Sequence, residues 1–215
     1  MNTALMFHWP ELPPLPPPGV PVLIRVDTTP TRQQARQELR AVLRQALAVW
    51  SGLPSEQLPL GETSRGPVWR GQVGRHDLDI SLSYTEGKGW IGLLRGGWIG
   101  LDIMQIKHLP EAEAVARLYL GSEAWKIIEQ SDDPPLAFAT MWTTLEARLK
   151  CLKRGLTELS ERQVMPQPDC TVQSMVLPEN QILTVATCPA QKNNLRPSQT
   201  TSATNASDIS APARI

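Results

Sequence analysis

The chain has 215 residues in which 21 Lys and Arg balance 21 Asp and Glu, so it lacks the basic excess of a dedicated nucleic-acid binder. At 41% hydrophobic it can fill a core, yet no apolar run approaches the ~20 residues that span a bilayer, and the start MNTALMFHWPELPP lacks the basic and unbroken apolar stretches of a signal peptide. A soluble cytoplasmic protein is expected, with Cys151, Cys170 and Cys188, odd in number and without metal-site spacing, as reduced thiols.

Eight of the 20 prolines fall in the first 30 residues, which predicts polyproline or irregular backbone for a leader over 1–19, packed or solvated. A β-branched run from Val20 to Val26 predicts a strand. A helix follows from about Arg32 to Trp50, with Ala35, Leu39, Val42, Leu43, Ala46, Leu47 and Trp50 on one face. Arg32, Arg36, Arg40 and Arg44 share another face, which reads as solvated or, alternatively, as facing phosphate or a partner. Residues 66–74 read as loop. Leu78 to Tyr84 alternates with period two, as a half-buried strand does, and Trp90–Leu94 and Trp98–Ile103 around Arg95-Gly96-Gly97 predict a hairpin. Helices are expected over 111–120 and 122–130. A longer one, from the prolines at 134 and 135 to Arg154, should bury Phe138, Met141, Leu145, Leu149 and Leu152 and stop at Gly155. Strands over 171–177 and 181–187 close an α+β chain, and the Ser, Thr, Asn and Ala composition from 190 to 215 predicts disorder.

Asp102 sits among apolar residues at a strand end, where a carboxylate is costly to bury unless paired, hydrogen-bonded or metal-bound. By itself it also reads as a turn-capping residue. Glu146 and Lys150 share one helix face at i, i+4, as an ordinary surface ion pair does.

Ile80 to Thr85 (ISLSYT), Ile99 to Ile103 (IGLDI) and Trp142 to Lys150 (WTTLEARLK), in that order and spacing, resemble the motifs of the 4′-phosphopantetheinyl transferase superfamily. The segment from Ala35 to Leu43, followed by Arg65-Gly66-Pro67, resembles the N-terminal half of its longer, Sfp-type members, so the likeness runs over about 20–188. The resemblance implies two pseudo-twofold-related halves in one chain, 20–78 and 79–189, joined near Asp77 to Tyr84, with coenzyme A in the cleft between them. It implies a monomer that moves 4′-phosphopantetheine from coenzyme A to a serine of an acyl, peptidyl or aryl carrier protein.

By the same resemblance, Asp102 and Glu146 would hold Mg²⁺, Glu146 and Lys150 would be catalytic, and Arg65, Ser83, Tyr84, Thr85 and Lys150 would bind coenzyme A. Arg148, Lys153 and Arg154 would form a basic patch toward the acidic carrier. Four positions depart from the pattern. Tyr84 stands for a histidine and so forgoes a cation. Met104 replaces a second acid, and a thioether is a poor ligand for a hard cation. Leu145 replaces a lysine, and Arg65 shifts the basic residue of a Gly-Lys-Pro triplet. Two alternatives remain: a homologue that binds a carrier protein or coenzyme A without transfer, and an unrelated α+β interaction protein.

Overall fold

The computed structural model describes residues 4–64, 66–73, 76–158 and 170–189. Arg65, expected at the cofactor, and the tail from 190, expected to be disordered, lie outside the described residues. The apolar strand β2 (Val22–Asp27) is flanked by β1 (Leu5–His8), which pairs with it in parallel, and by β7 (Lys88–Arg95), which pairs antiparallel. With β6 (His76–Thr85) and the short β5 (Gln72–Val73) they form one sheet in the order β1-β2-β7-β6-β5. The proline-rich segment between β1 and β2 is packed: Trp50 donates its indole N–H to the Pro13 carbonyl at 3.0 Å, and Arg95 donates to the Pro16 carbonyl at 2.7 Å.

Helix α1 (Arg32–Ser51) lies on this sheet through Ala35, Leu39, Val42, Leu43, Ala46 and Leu47, the face its periodicity predicts. Each leucine so buried contributes about 1.5–3 kcal/mol. The helix stops where Gly52 takes a left-handed φ of 71° and returns its N–H to the Ala48 carbonyl, a conformation that costs glycine little. Residues 60–73, in part expected as loop, hold β3 (Leu60–Thr63), its partner β4 (Gly66–Trp69) and β5.

The expected hairpin between the two tryptophan-led runs is not formed. β7 pairs instead with β6, across a turn at Glu86-Gly87, and the chain leaves the first sheet at Gly96 (φ 72°). Strand β8 (Gly97–Gln105) then enters a second sheet, ordered β8-β10-β9, where Asp102 faces Thr184 in the antiparallel register with β10 (Gln181–Pro189). A glycine turn between apolar runs has the same local signature in both cases, and only the partner distant in sequence decides. β6 meets β8 through side chains. The N–H groups of Ile99, Leu101 and Ile103 donate to the side-chain oxygens of Asp79, Ser81 and Ser83 at 2.8, 2.9 and 3.3 Å. Alternate residues of one strand thus satisfy alternate amides of the other, which would otherwise be buried unpaired.

After α2 (Ala112–Tyr119) and α3 (Ser122–Glu129), helix α4 (Pro134–Cys151) begins at Asp133, whose side chain accepts from the Leu136 N–H at 3.0 Å, with proline in the first turn. Its innermost face differs from the expected stripe. Ala139, Thr143, Ala147 and Cys151, each four apart, are buried with Phe138 and Leu149, whereas Met141, Leu145 and Leu152 are only partly covered. Small side chains let the helix lie close on β8 and β10. A Cβ at Gly100 would stand 1.8 Å from the Ala147 carbonyl oxygen and 2.4 Å from the Cys151 nitrogen.

Beyond β9 (Thr171–Leu177), the structure corrects the expectation of three thiols: Cys170 and Cys188 form a disulfide, and Cys151 is a buried free cysteine beside it. The register explains the pair. Thr171 faces Thr187, so one step further along the β9–β10 ladder brings residues 170 and 188 opposite each other, Cα to Cα 4.5 Å. No spacing rule shows this before the strands are paired.

Candidate active site

Period two along β6 splits the ISLSYT segment between two sites. Asp79, Ser81 and Ser83 point to β8, while Ile80, Leu82 and Tyr84 point to α1. On the β8 side, Ser83 is buried; its Oγ donates to Asp102 Oδ1 at 2.9 Å and accepts from the Ile103 N–H. Lys150, one turn after Glu146 on α4, donates to Asp102 Oδ1 at 2.6 Å, to the Leu101 carbonyl at 3.0 Å and to Ser83 Oγ at 3.3 Å. Asp102 is therefore neither a turn cap nor a bare buried charge. Lys150 is not in the i, i+4 surface pair read from the helix; it reaches across to β8.

Glu146 is half-buried and makes no side-chain hydrogen bond among the described residues. Burial pushes its carboxyl above the usual glutamate range, the negative charge of Asp102 pushes it further, and Lys150 pulls it back. Each acid thus keeps oxygen to offer: only Oδ1 of Asp102 is bonded among the described residues, and Glu146 is unbonded. Two carboxylates whose charges disfavour one another suit a hard divalent cation that is content with one or two protein carboxylates plus phosphate oxygens and water. Met104 adds no donor. Its side chain packs beside Ile106, Ala139 and Ile182, so the position of the second acid belongs to the core.

The α1 side is a cleft of about 250 Å³ lined by Arg36, Arg40, Thr63, Ser64, Gly66, Pro67 and Tyr84 among others. Arg32 donates its Nε–H to the Tyr84 hydroxyl at 2.6 Å, and the Arg36 guanidinium lies 5.9 Å from the Tyr84 ring centre. Arg40 pairs with Glu62. Two arginines of the stripe, Arg36 and Arg40, thus line this cleft, Arg32 reaches Tyr84 beside it, and Arg32, Arg36 and Arg44 remain exposed. Thr85 ends β6 next to this cleft and makes no side-chain hydrogen bond among the described residues. A larger cleft of about 360 Å³, lined by Arg25, Lys88, Trp90 and Glu179 among others, contains none of the expected site residues.

Residues 99–193 match the family model described as the 4′-phosphopantetheinyl transferase superfamily. The matched stretch supports membership of this superfamily. The match takes in Asp102, Glu146 and Lys150, and the mixed α+β architecture with its curled sheets agrees with the superfamily's fold. The match supports a transferase of the phosphopantetheinyl kind; it is the superfamily that uses coenzyme A as substrate and acts on carrier proteins. Comparison with curated proteins gave no match.

The sequence pointed to the three charged residues and missed their supports. Asp79 accepts from the Lys153 Nζ at 2.7 Å, so one of the three cations of the expected basic patch is paired with a carboxylate. Beneath Asp102 runs a chain of hydroxyls: Ser174 and Thr184 at 2.9 Å, Thr184 and Thr143 at 2.7 Å, ending with Thr143 donating to the Ala139 carbonyl at 2.8 Å. The period-two Asp79, Ser81, Ser83 row was visible as a signal. The threonines were not, because α4 and β10 meet only in the fold. Among the described residues, no helix is long and apolar enough to cross a membrane.

Proposed function

We propose that the chain transfers 4′-phosphopantetheine from coenzyme A to a serine of an apo carrier protein, dependent on Mg²⁺, as a monomer of the Sfp type. The observation that supports this reading is the Asp102–Lys150–Ser83 cluster, with Glu146 beside it, next to an arginine-lined cleft. In the reaction a serine hydroxyl attacks the pantetheine-side phosphorus of the diphosphate. The bond to the other phosphate breaks, and adenosine 3′,5′-bisphosphate leaves with the electron pair. Asp102 and Glu146 would hold Mg²⁺, which when bound supplies positive charge against the diphosphate.

Glu146 accepts the serine proton, directly or through water. Lys150 turns from Asp102 toward the leaving phosphate, a short movement for a flexible ammonium stem. Ser83 keeps Asp102 in place, and Arg32, Arg36 and Tyr84 take the nucleotide phosphates, with Thr85 following Tyr84 on the same strand. Arg148 and Arg154 meet the acidic carrier.

The test is intact mass of a panel of apo carriers after incubation with the protein, coenzyme A and Mg²⁺. The expected result is a gain of one phosphopantetheinyl group, lost on chelation. A second reading, binding of coenzyme A or carrier without transfer, is favoured by the apolar packing of Met104 and by the hold of Lys150 on Asp102. Coenzyme A binding by calorimetry with no mass gain on any carrier would establish it in place of the first.

A further inference from the structure

Cys151, Cys170 and Cys188 come from three places, the end of α4, the approach to β9 and the end of β10, yet their sulfurs all lie within 4.8 Å of one another. Cys170 and Cys188 are bonded, and Cys151 Sγ lies 3.2 Å from Cys188 Sγ and donates to the Trp98 carbonyl at 3.4 Å. Cys151 is wholly buried among Ala147, Ala186 and Trp98, while Cys170 is partly exposed. The transfer site uses none of the three. A thiol held in contact with one sulfur of a disulfide has the placement that thiol–disulfide exchange requires.

We propose that these cysteines form an exchange site in which the disulfide migrates between Cys170–Cys188 and Cys151–Cys188, releasing Cys170 as a reactive thiol at the surface. Cys151 gives its proton to water, and the thiolate attacks Cys188 Sγ. The Cys151–Cys188 bond forms as the Cys170–Cys188 bond breaks, and Cys170 leaves with the electron pair and takes a proton from water. Nothing is oxidised or reduced overall, so no co-reactant is needed. The exchanged form moves the cross-link from the β9–β10 hairpin to the last turn of α4, one residue beyond Lys150.

Burial pushes the Cys151 thiol up to about 12; Asp79 on β6 raises it further, and Lys153 and the Cys188 backbone lower it. The attacking thiolate is therefore scarce at neutral pH, and its population grows about tenfold per pH unit below that value.

The experiment takes the full chain, purified without reductant, and treats it with N-ethylmaleimide between pH 7 and 9. Digestion after glutamate follows, which places the three cysteines on separate peptides because Glu158 and Glu179 lie between them. The expected product carries the label on Cys170 with Cys151 and Cys188 linked, and it accumulates about tenfold faster per pH unit. Cys151→Ala should abolish labelling of Cys170. Should that variant fail to fold, the mapping of the unaltered chain decides alone. Label confined to Cys151, label on all three cysteines, no label on Cys170, or labelling of Cys170 that persists in folded Cys151→Ala would each overturn the proposal. The result is independent of whether the protein transfers phosphopantetheine.

Discussion

Helices α1 and α4 both carry charged residues to the proposed site, but they are seated in opposite ways. α1 rests on its sheet through leucines, stands off by their length, and offers exposed arginines whose long side chains reach Tyr84. α4 rests through Ala139, Thr143, Ala147 and Cys151, close enough that β8 has no room for a Cβ at Gly100. The first arrangement tolerates adjustment and suits the binding of a flexible nucleotide. The second holds Lys150 at hydrogen-bond distance from Asp102, with Glu146 one turn earlier on the same helix, the close placement that bond-making chemistry requires.

The sharpest way to break this comparison is a methyl group under each helix. Gly100→Ala meets backbone atoms that cannot move aside, so it should cost at least the ~3 kcal/mol at the upper end of ordinary overpacking and abolish activity. Gly89→Ala, whose Cβ would meet the Leu39 side chain at 2.6 Å, strikes a group that can rotate and should cost about 1–2 kcal/mol. Urea denaturation midpoints measure both, and equal losses would refute the distinction between the helices.

Next in size is Glu146→Gln, which should lower transfer by about 10²-fold or more. Its effect on stability in chelator runs the other way. Because the folded protein raises the Glu146 carboxyl, its contribution is full below the ordinary glutamate range and is lost as pH rises through the folded value. The uncharged amide should therefore make the metal-free protein more stable at neutral pH and flatten its pH dependence. A glutamine variant less stable than the parent at pH 7 would contradict the assigned cause.

Lys150→Met removes one of the two side-chain donors that Asp102 has among the described residues, the other being Ser83. Hydrogen bonds to charged groups contribute about 1.5–3 kcal/mol, and the loss should shrink when Asp102→Asn is already present. Thermal or urea unfolding of the four proteins in this cycle measures the coupling. The smallest effects belong to α1. Arg32→Met and Tyr84→Phe should each weaken coenzyme A by a few-fold without changing stability, and together should do little more than either alone, since they break one contact. Calorimetric titration reads this, and fully additive losses would mean the two groups act separately.

The helices and the strands β6 to β10 were legible to within a few residues because each has its own period, and so were Asp102, Glu146 and Lys150. What was not legible depended on pairing across the chain. The turn at Gly96 reads as a hairpin until β10 claims β8, the buried face of α4 reads as leucines until the closeness of Gly100 selects small residues, and Cys170 and Cys188 are unrelated until a register joins them. Tyr84 reads as a lost cation until Arg32 comes within 2.6 Å of it. The departure at Tyr84 was thus visible in sequence, while the arginine beside it was not.

The row of Asp79, Ser81 and Ser83 along β6 also acts as a keyed seam between the two sheets. Sliding β8 by one residue would set its amides against Ile80 and Leu82, which accept nothing through their side chains. Sliding it by two would leave one amide beyond the end of the row and would carry Asp102 away from Ser83. Alignment of the two sheets is therefore set digitally, by three short side chains whose spacing admits one position, and not by the glycine turn that links β7 to β8 covalently. A nick at that turn should leave the two sheets in register, and the same seam offers a place to divide the protein into two fragments that find each other by a three-notch key.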